Sequence, residues 1–354
     1  MSKAPIICGI QQIGVGNNDV HGTFKWYHNN LGMDVQIFEE EAMAELMLPY
    51  TGGEPRGRHA ILAINMQGGG GLEIWQYTTR TPEAPTFDLQ LGDLGIFIMK
   101  FKSKDVPATY KWMQSRGIKM VGDVTNAPDG TAHFFFKDLH GNLGEVVASD
   151  NWFKKNKCLT GGVYGCTIGV SDIDKARTVY SDILGYDKVI YDEIGNFKDF
   201  ESIHGGQYQF RRVLLTHSQE RVGAFSKLLG KSQIELVEVK ERKPRNIFEN
   251  RYWGDLGYIH LCFDINGMDA LRKRCESKGH PFTADSSNSF DMGEAAGHFS
   301  YIEDPDGTLI EFVETHKVPI MKKFNWYLNL QKRDPQKALP NWIVKALSFN
   351  RVKV

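Results

Sequence analysis

Two glutamates on apolar strands are the residues of this chain best placed to do chemistry. Glu73 lies in Leu72-Glu73-Ile74 and Glu235 lies in Ile234-Glu235-Leu236, and each precedes a Gly-Asp-Leu-Gly segment by nineteen residues. This constant spacing indicates that the chain contains an internal duplication. A carboxylate at a repeated position suits metal binding or proton transfer. The alternative is that both glutamates face solvent on half-exposed strands, since side chains alternate between the two faces.

The duplication extends beyond these segments at a shifted offset of 153 residues. Leu31-Gly32 corresponds to Leu184-Gly185, and each pair ends a stretch with apolar residues at helical spacing. Asp19 and Asp172 precede these stretches and are predicted to be helix N-caps or first-turn acids. Each half is therefore expected to begin with a strand followed by an amphipathic helix.

A second strand and helix pattern follows each Gly-Asp-Leu-Gly segment. It ends in the turns Asp138-Leu139-His140-Gly141 and Asp304-Pro305-Asp306-Gly307, which lead into strands that carry Glu145 and Glu311. The pattern predicts four βαβββ modules, at about residues 7–80, 93–150, 161–240 and 255–315. The expected fold class is α+β.

Length and composition restrict the function classes. The chain has 354 residues, enough for two domains plus a tail, and its formal net charge of −1 disfavours a general nucleic-acid binder. It has no run of 18 apolar residues, which predicts no integral membrane segment. The five cysteines lack paired metal spacing, and their odd number argues against a disulfide framework. A cytoplasmic protein with a small-molecule substrate is therefore predicted, with a homodimer as an open possibility.

Three sets of motifs recur through the modules: Gln12-Ile13-Gly14-Val15 with Asp19 and Leu31-Gly32, Cys166 to Asp172 with Leu184-Gly185, and Asp304 to Glu311. With these motifs the modules resemble the vicinal oxygen chelate superfamily, which includes glyoxalase I, bleomycin resistance proteins, extradiol dioxygenases and 4-hydroxyphenylpyruvate dioxygenase. The resemblance implies that modules pair into cupped, glyoxalase-like half-barrels. We expect one half-barrel in residues 1–155 and the other in residues 156–315.

The resemblance also implies a divalent metal ion in the cup, held by residues of the first and last strands of the paired modules. The C-terminal half offers Glu235, His260 and Glu311, with Gly165 at the fourth position. Its imidazole and two carboxylates suit zinc, nickel, manganese or iron, so this set is preferred. His298 and Cys262 are possible neighbours of this site, although a structural role is the preferred interpretation of each.

The N-terminal half offers a second candidate set, Gln12, Glu73 and Glu145, with Ile98 where the other half has His260. These ligands are all oxygens and one is neutral, so this set would suit a harder, more weakly held ion. The set is also compatible with a relic of the duplication that binds no metal, because duplication copies residues without copying their function.

Residues 316–354 form a basic tail rich in aromatic residues, in which Pro335 and Pro340 separate two short helix-like pieces. The tail is expected to be helical. The tail has three possible roles: it could cover the mouth of the C-terminal cup, contact a second subunit or bind an anionic membrane surface.

The implied function is glyoxalase-type isomerase, lyase or epimerase chemistry on a substrate with vicinal oxygens. Glu235 or Glu311 would move the proton beside the metal ion. An extradiol or 4-hydroxyphenylpyruvate-type dioxygenase is the first alternative, although its two-histidine, one-carboxylate iron site would require a histidine at Gly165. A metal-free protein that binds a small ligand, as bleomycin resistance proteins do, is the second.

Overall fold

The computed structural model describes residues 4–287, 290–291, 296–321 and 324–353. The four predicted βαβββ modules are present. Module 1 consists of β1 (Ile6–Asn17), α1 (Val20–Leu31), β2 (Val35–Met43), β3 (Gly57–Ile64) and β4 (Gly71–Tyr77). Module 2 consists of β5 (Gly95–Ser103), α2 (Val106–Ser115), β6 (Lys119–Asn126), β7 (Ala132–Lys137) and β8 (Leu143–Ala148).

The second half repeats this order with small additions. Module 3 consists of β9 (Thr160–Gly169), α3 (Ile173–Arg177) with a π-helical turn (Thr178–Ile183), β10 (Lys188–Gly195), β11 (Phe210–Thr216), the short α4 (Ser226–Leu229) and β12 (Gln233–Val239). Module 4 consists of β13 (Gly257–Asn266), α5 (Met268–Ser277), β14 (Ala284–Asp285), β15 (Phe290–Asp291), β16 (Ala296–Glu303) and β17 (Leu309–Met321).

The predicted helix starts are confirmed. The Asp19 side chain accepts a hydrogen bond from the Gly22 backbone N–H, and Asp172 accepts one from Lys175. Each bond satisfies a donor that the first helical turn leaves unpaired. The two helices therefore begin at equivalent positions of the repeat.

The four modules form two curled sheets, but they do not pair as the sequence analysis expected. One sheet has the order β14-β16-β17-β13-β1-β4-β3-β2 and combines modules 1 and 4, while the other has the order β10-β11-β12-β9-β5-β8-β7-β6 and combines modules 2 and 3. The boundary expected near residue 155 lies between β8 and β9, and strands from both sides of it enter each sheet. The prediction that the two modules within each half pair with each other is therefore wrong.

The physical reason is the equivalence of the modules. Each sheet is joined at its centre by an antiparallel pair of first strands, β1 with β13 and β5 with β9. All four first strands are apolar and of similar length. Their sequences are therefore compatible with pairing between first strands but do not specify which two strands pair. We call the concave face of the sheet of modules 1 and 4 the first cup, and that of modules 2 and 3 the second cup.

The tail is less helical than predicted. Its first residues extend β17, and β18 (Trp326–Asn329) pairs with them in antiparallel fashion. Helix α6 (Asn341–Ala346) follows and continues as a 3-10 turn (Leu347–Asn350). Ile343, Val344 and Leu347 are buried in the apolar cluster that fills the first cup, so the tail covers that cup. None of the described helices is long and apolar enough to span a membrane.

Candidate metal centre

Four side chains from four strands meet in the first cup. Gln12 comes from β1, Glu73 from β4, His260 from β13 and Glu311 from β17, and all are buried. The strand register explains the meeting, because Gly14 of β1 pairs with Glu73 on one side and with His260 on the other. Modules 1 and 4 therefore each supply half of the cluster.

The ligating atoms of the cluster point at one another. His260 Nε2 lies 3.2 Å from Oε2 of Glu73 and 3.2 Å from Oε2 of Glu311. Gln12 Nε2 lies 3.5 Å from the same two carboxylate oxygens. One ligand atom from each of Glu73, His260 and Glu311 falls within 4.8 Å of the others. Such mutual distances allow several of these atoms to contact one ion at once.

Glycine and a strand irregularity make room for the cluster. A Cβ atom at Gly14 would lie 2.5 Å from His260 Cε1, so a side chain at residue 14 would displace the imidazole. The β1 and β13 register shifts between Ile10 and Gln12, which lets both Gln11 and Gln12 face the cavity in the cup. Bulges of this kind often re-aim side chains next to functional sites.

Aromatic rings fix the orientation of His260. The Trp253 ring stacks on the imidazole at an interplanar angle of 20°, and Trp253 Nε1 approaches Nδ1 to 3.4 Å. The Tyr301 ring packs edge-on against the same imidazole. These contacts leave Nε2 as the nitrogen that faces Glu73 and Glu311.

Burial and mutual charge set the protonation of the cluster. Burial lowers the pKa of His260, but the carboxylates of Glu311 and Glu73 outweigh it, so the pKa lies above its usual value. Burial raises the pKa of Glu73, yet His260 holds it below the usual range. Burial dominates at Glu311, whose pKa is raised. The cluster thus holds two buried acids and one imidazole.

These residues fit a divalent metal ion. Among the described residues, no group makes a well-aligned hydrogen bond to His260 Nε2 or to Gln12 Oε1, although both atoms are buried. No lysine or arginine in the described part of the chain pairs with Glu73 or Glu311, and nearby Arg58 pairs with Glu40 at 2.8 Å. The only charged partner that the two carboxylates share among the described residues is the imidazole of His260, which leaves one of them unbalanced. A buried carboxylate without a balancing charge is costly, and a divalent cation removes that cost. A flip of the Gln12 side-chain amide, which exchanges its oxygen and nitrogen, would turn Oε1 toward the cluster.

The second cup carries a lysine at the corresponding place. Lys100 Nζ lies 2.7 Å from Glu235 Oε2 and 2.8 Å from Glu145 Oε2. Glu235 and Glu145 are the repeat equivalents of Glu73 and Glu311. Burial disfavours the ammonium, but the two carboxylates outweigh it and hold the pKa of Lys100 above its usual value. A side-chain cation therefore neutralises the second pair of acids.

Further charges complete this network. His133 Nδ1 lies 2.8 Å from Glu145 Oε1, and its pKa is raised to about 9 because Asp199 and Glu145 outweigh burial. The Arg212 guanidinium pairs with Asp199 and Glu235, each at 2.8 Å. Three acids thus face Lys100, Arg212 and a protonated His133, and the second cup is balanced by its own side chains.

Gly165 has a structural explanation. A Cβ atom there would lie 1.8 Å from the backbone oxygen of Gln233, so the parallel β9 and β12 strands leave room for glycine alone. A histidine at this position is excluded by sterics. Gly165 is thus a packing position.

Neither predicted ligand set is assembled as expected. Glu235 lies in the second cup, apart from His260 and Glu311, and Glu145 lies there too, apart from Gln12 and Glu73. The cluster of the first cup takes two members from each set, because modules 1 and 4 share a sheet.

The two predicted neighbours differ in position. Cys262 pairs with Gln12 across the central strands, and its Sγ lies 3.6 Å from Gln11 Oε1, so it borders the cluster. His298 instead pairs with Asp285 on β14 and is bonded away from the cluster.

Lys100 is the residue that the sequence analysis missed. Its signal was a lysine two residues beyond Ile98 on a strand whose neighbouring residues are apolar, since residues two apart on a strand face the same side. A buried ammonium needs polar or charged partners, and Lys100 has two carboxylates.

A mostly apolar cavity of about 120 Å³ borders the cluster. Gln12, Glu73 and Glu311 form its polar end, and Leu347 of the tail contributes to its wall. A small molecule bound there would contact the carboxylates while the tail shields it from water.

Comparison with known proteins agrees with this architecture. The family model described as the glyoxalase/bleomycin resistance protein/dioxygenase superfamily matches residues 9–146 and again residues 164–312. Glyoxalase I from Zea mays has a TM-score of 0.54 at 13% identity, over 88% of this chain and 92% of that chain. A putative dioxygenase from Bacillus subtilis has a TM-score of 0.55 at 14% identity, over 87% of this chain and 86% of that chain. No curated protein matches the chain. At these identities the two structures show a shared fold.

Proposed function

Because the chain belongs to the glyoxalase/bleomycin resistance protein/dioxygenase superfamily, we propose that it is a metal-dependent isomerase, lyase or epimerase. Its substrate is a small molecule with two neighbouring oxygens. The observation that carries the proposal is the cluster of Glu73, His260, Glu311 and Gln12, buried at the end of a cavity and without a pairing lysine or arginine among the described residues.

The donor set limits the choice of metal. Glu73 and Glu311 offer carboxylate oxygens, His260 an imidazole nitrogen and Gln12 an amide oxygen, a mixture that suits zinc, nickel, manganese or iron. A bound divalent ion would act as a Lewis acid toward the two substrate oxygens. The two carboxylates would balance its charge.

The proton is moved by the residues of the cup. Glu73 and Glu311 each place an oxygen 3.2 Å from His260 Nε2 and both line the cavity, so either carboxylate reaches a ligand held at the polar end. A carboxylate there accepts a proton from the carbon beside a carbonyl and returns it to a neighbouring atom. Glu73 thus takes the role that the sequence analysis assigned to Glu235. The apolar walls keep competing water away from the reacting carbon.

The two alternatives have less support. A non-haem iron dioxygenase of the two-histidine, one-carboxylate type needs a second histidine, and Gln12 stands where the first cup would supply it. A metal-free binding protein is consistent with the apolar walls of the cavity but leaves two buried acids to share the single imidazole of His260.

Metal reconstitution tests the proposal. The full chain would be stripped with a chelator and then offered zinc, nickel, manganese and iron separately. We expect one ion per chain and a higher Tm, since a ligand at about 100 times its Kd adds about 2.7 kcal/mol to the stability. Absence of both effects would contradict the proposal and favour the metal-free alternative.

The reaction class is read from the loaded protein. Exchange of the proton on the carbon beside the carbonyl, followed by NMR in D2O with a panel of α-hydroxy ketones, indicates isomerase or epimerase chemistry. Oxygen consumption by the iron-loaded chain indicates a dioxygenase instead. His260→Ala is the control that should abolish both signals.

A further inference from the structure

The cavity of the first cup carries information about the substrate itself. We propose that its ligand is a small, uncharged molecule with an apolar body and two neighbouring oxygens, and that anionic substrates are excluded. This inference rests on the proposed function for the place of the oxygens, which face Glu73 and Glu311. It rests on the cavity walls for the remainder of the ligand.

The walls beyond the cluster are apolar side chains from several elements. They include Phe38, Leu62, Ile64, Leu228, Val318 and Leu347. The first three lie on β2 and β3. Leu228 lies on α4, Val318 on β17 and Leu347 in the tail. Burying a ligand against such walls is favourable in proportion to its apolar area, whereas a charged group placed there would lose its hydration without gaining a partner.

The ionisable groups of the cavity all have the same sign. Among the described residues that line it, the ionisable side chains are Glu73, Glu311 and Asp264, and none is a lysine, arginine or histidine. A divalent ion in the cluster would only balance Glu73 and Glu311. No excess positive charge would then remain for a carboxylate or phosphate of the substrate.

The second cup is the internal comparison. There the acids face Lys100, Arg212 and His133, so this scaffold accommodates buried basic side chains where it uses them. The first cup has none at the cavity wall among the described residues. Recognition of an anion normally needs such groups.

Asp264 marks the other polar point of the cavity. It lies on β13, four residues beyond His260, and its Oδ1 accepts a hydrogen bond from Thr315 at 3.3 Å. Burial raises the pKa of Asp264 to about 7. Near neutral pH a large fraction of this side chain is therefore an uncharged acid, which can exchange hydrogen bonds with a hydroxyl or carbonyl of the ligand.

Size sets a further limit. The cavity of about 120 Å³ is somewhat smaller than one of about 150 Å³ that holds benzene. Roughly six heavy atoms are therefore the upper limit for a ligand that fits without rearrangement. Two probes of this size differ by a single group: 3-hydroxybutan-2-one is neutral, and lactate is an anion in which a carboxylate oxygen replaces the terminal methyl group.

Competition between these two probes tests the inference. Their dissociation constants would be measured by calorimetry on the full chain loaded with zinc. A free divalent ion in water binds lactate more tightly than the neutral ketone. A preference of the protein for the ketone would therefore come from the cavity walls. We expect the ketone to bind at least tenfold more tightly; equal or tighter binding of lactate, or binding of neither probe, would overturn the inference.

Two lysine variants provide a matched comparison on the tail. Leu347 is 2% exposed and lines the cavity, whereas Phe349, two residues later, is 62% exposed. Leu347→Lys should narrow the preference for the ketone by about tenfold, while Phe349→Lys should leave it unchanged. An unchanged preference in a folded Leu347→Lys chain would also contradict the inference.

Asp264→Asn keeps the test open if Leu347→Lys fails to fold. At pH 8 it removes a negative charge from the wall with little change of shape, so lactate binding should improve severalfold relative to the ketone. No improvement would count against the inference. If zinc does not bind at all, the proposed function fails; the same competition in the metal-free chain then still tests the charge selectivity of the walls.

Discussion

His260 Nε2 lies 3.2 Å from Glu73 Oε2, although these residues belong to the last and the first module of the chain. The contact exists because β1 and β13 join modules 1 and 4 in one sheet. Neither half of the chain contains the whole cluster. The candidate metal centre is thus a product of the complete fold.

Removal of the imidazole should remove the metal. His260→Ala deletes the one nitrogen donor of the cluster, and we expect the affinity for zinc to fall by more than about 100-fold, since losing partners outside a ligand set already costs about 10–100-fold. Calorimetric titration of the apo protein measures the loss. His133→Gln alters an equally buried histidine of the second cup and should retain the metal; loss in both variants would point to unfolding instead.

The lysine of the second cup should matter for stability. Lys100→Met leaves Glu145 and Glu235 buried without their shared cation, and breaking a buried pair in this way costs about 3–5 kcal/mol. Lys102→Met is the matched control on the same strand, because Lys102 is also buried but donates to the Asn151 backbone oxygen. Its free energy of unfolding should change less. Equal losses, measured by urea denaturation, would contradict the ion-pair account.

The second cup also predicts a pH dependence. The folded pKa of His133 is about 9, above the 6.5 of an unperturbed histidine. Its contribution to stability is therefore fully present below pH 6.5, declines as the pH rises and is lost above about 9. The difference in stability between the unmodified chain and His133→Gln should be largest at pH 6 and smallest near pH 10. A difference that grows with pH would have the wrong sign.

The tail should contribute to stability through its buried face. Ile343 is 8% exposed inside the apolar cluster of the first cup, and its replacement by alanine should cost about 2–5 kcal/mol. Trp342 precedes it in the same helix and is 62% exposed, so Trp342→Ala should change the stability by less than about 0.5 kcal/mol. Thermal unfolding of both variants checks this prediction. A larger loss for Trp342→Ala would mean that the outer face of the helix is the one in contact.

Much of the fold was predictable because it is repeated. Equal spacing identified the duplication, helical periodicity and acidic caps located α1 and α3, and the strands of Glu73, Glu235, His260 and Glu311 followed from the alignment. These are local signals, and the family resemblance agreed with them.

The partner of each module was not predictable in the same way. Glu73 and Glu235 occupy equivalent positions on equivalent strands, so nothing local says which of them meets His260. The difference lies in a contact between modules, where Lys100 reaches both Glu235 and Glu145. If Lys100 had been placed on the same strand face as Ile98, the balance of charge would have assigned Glu145 and Glu235 to one cup and Glu73 and Glu311 to the other.

The most direct test compares two isosteric variants of the repeated glutamates. Glu73→Gln and Glu235→Gln would each be purified and loaded with zinc, and the metal content per folded chain measured by elemental analysis. We predict that Glu73→Gln loses the metal and that Glu235→Gln retains one ion per chain. Retention by Glu73→Gln together with loss by Glu235→Gln would place the centre within the C-terminal half and contradict the shared site.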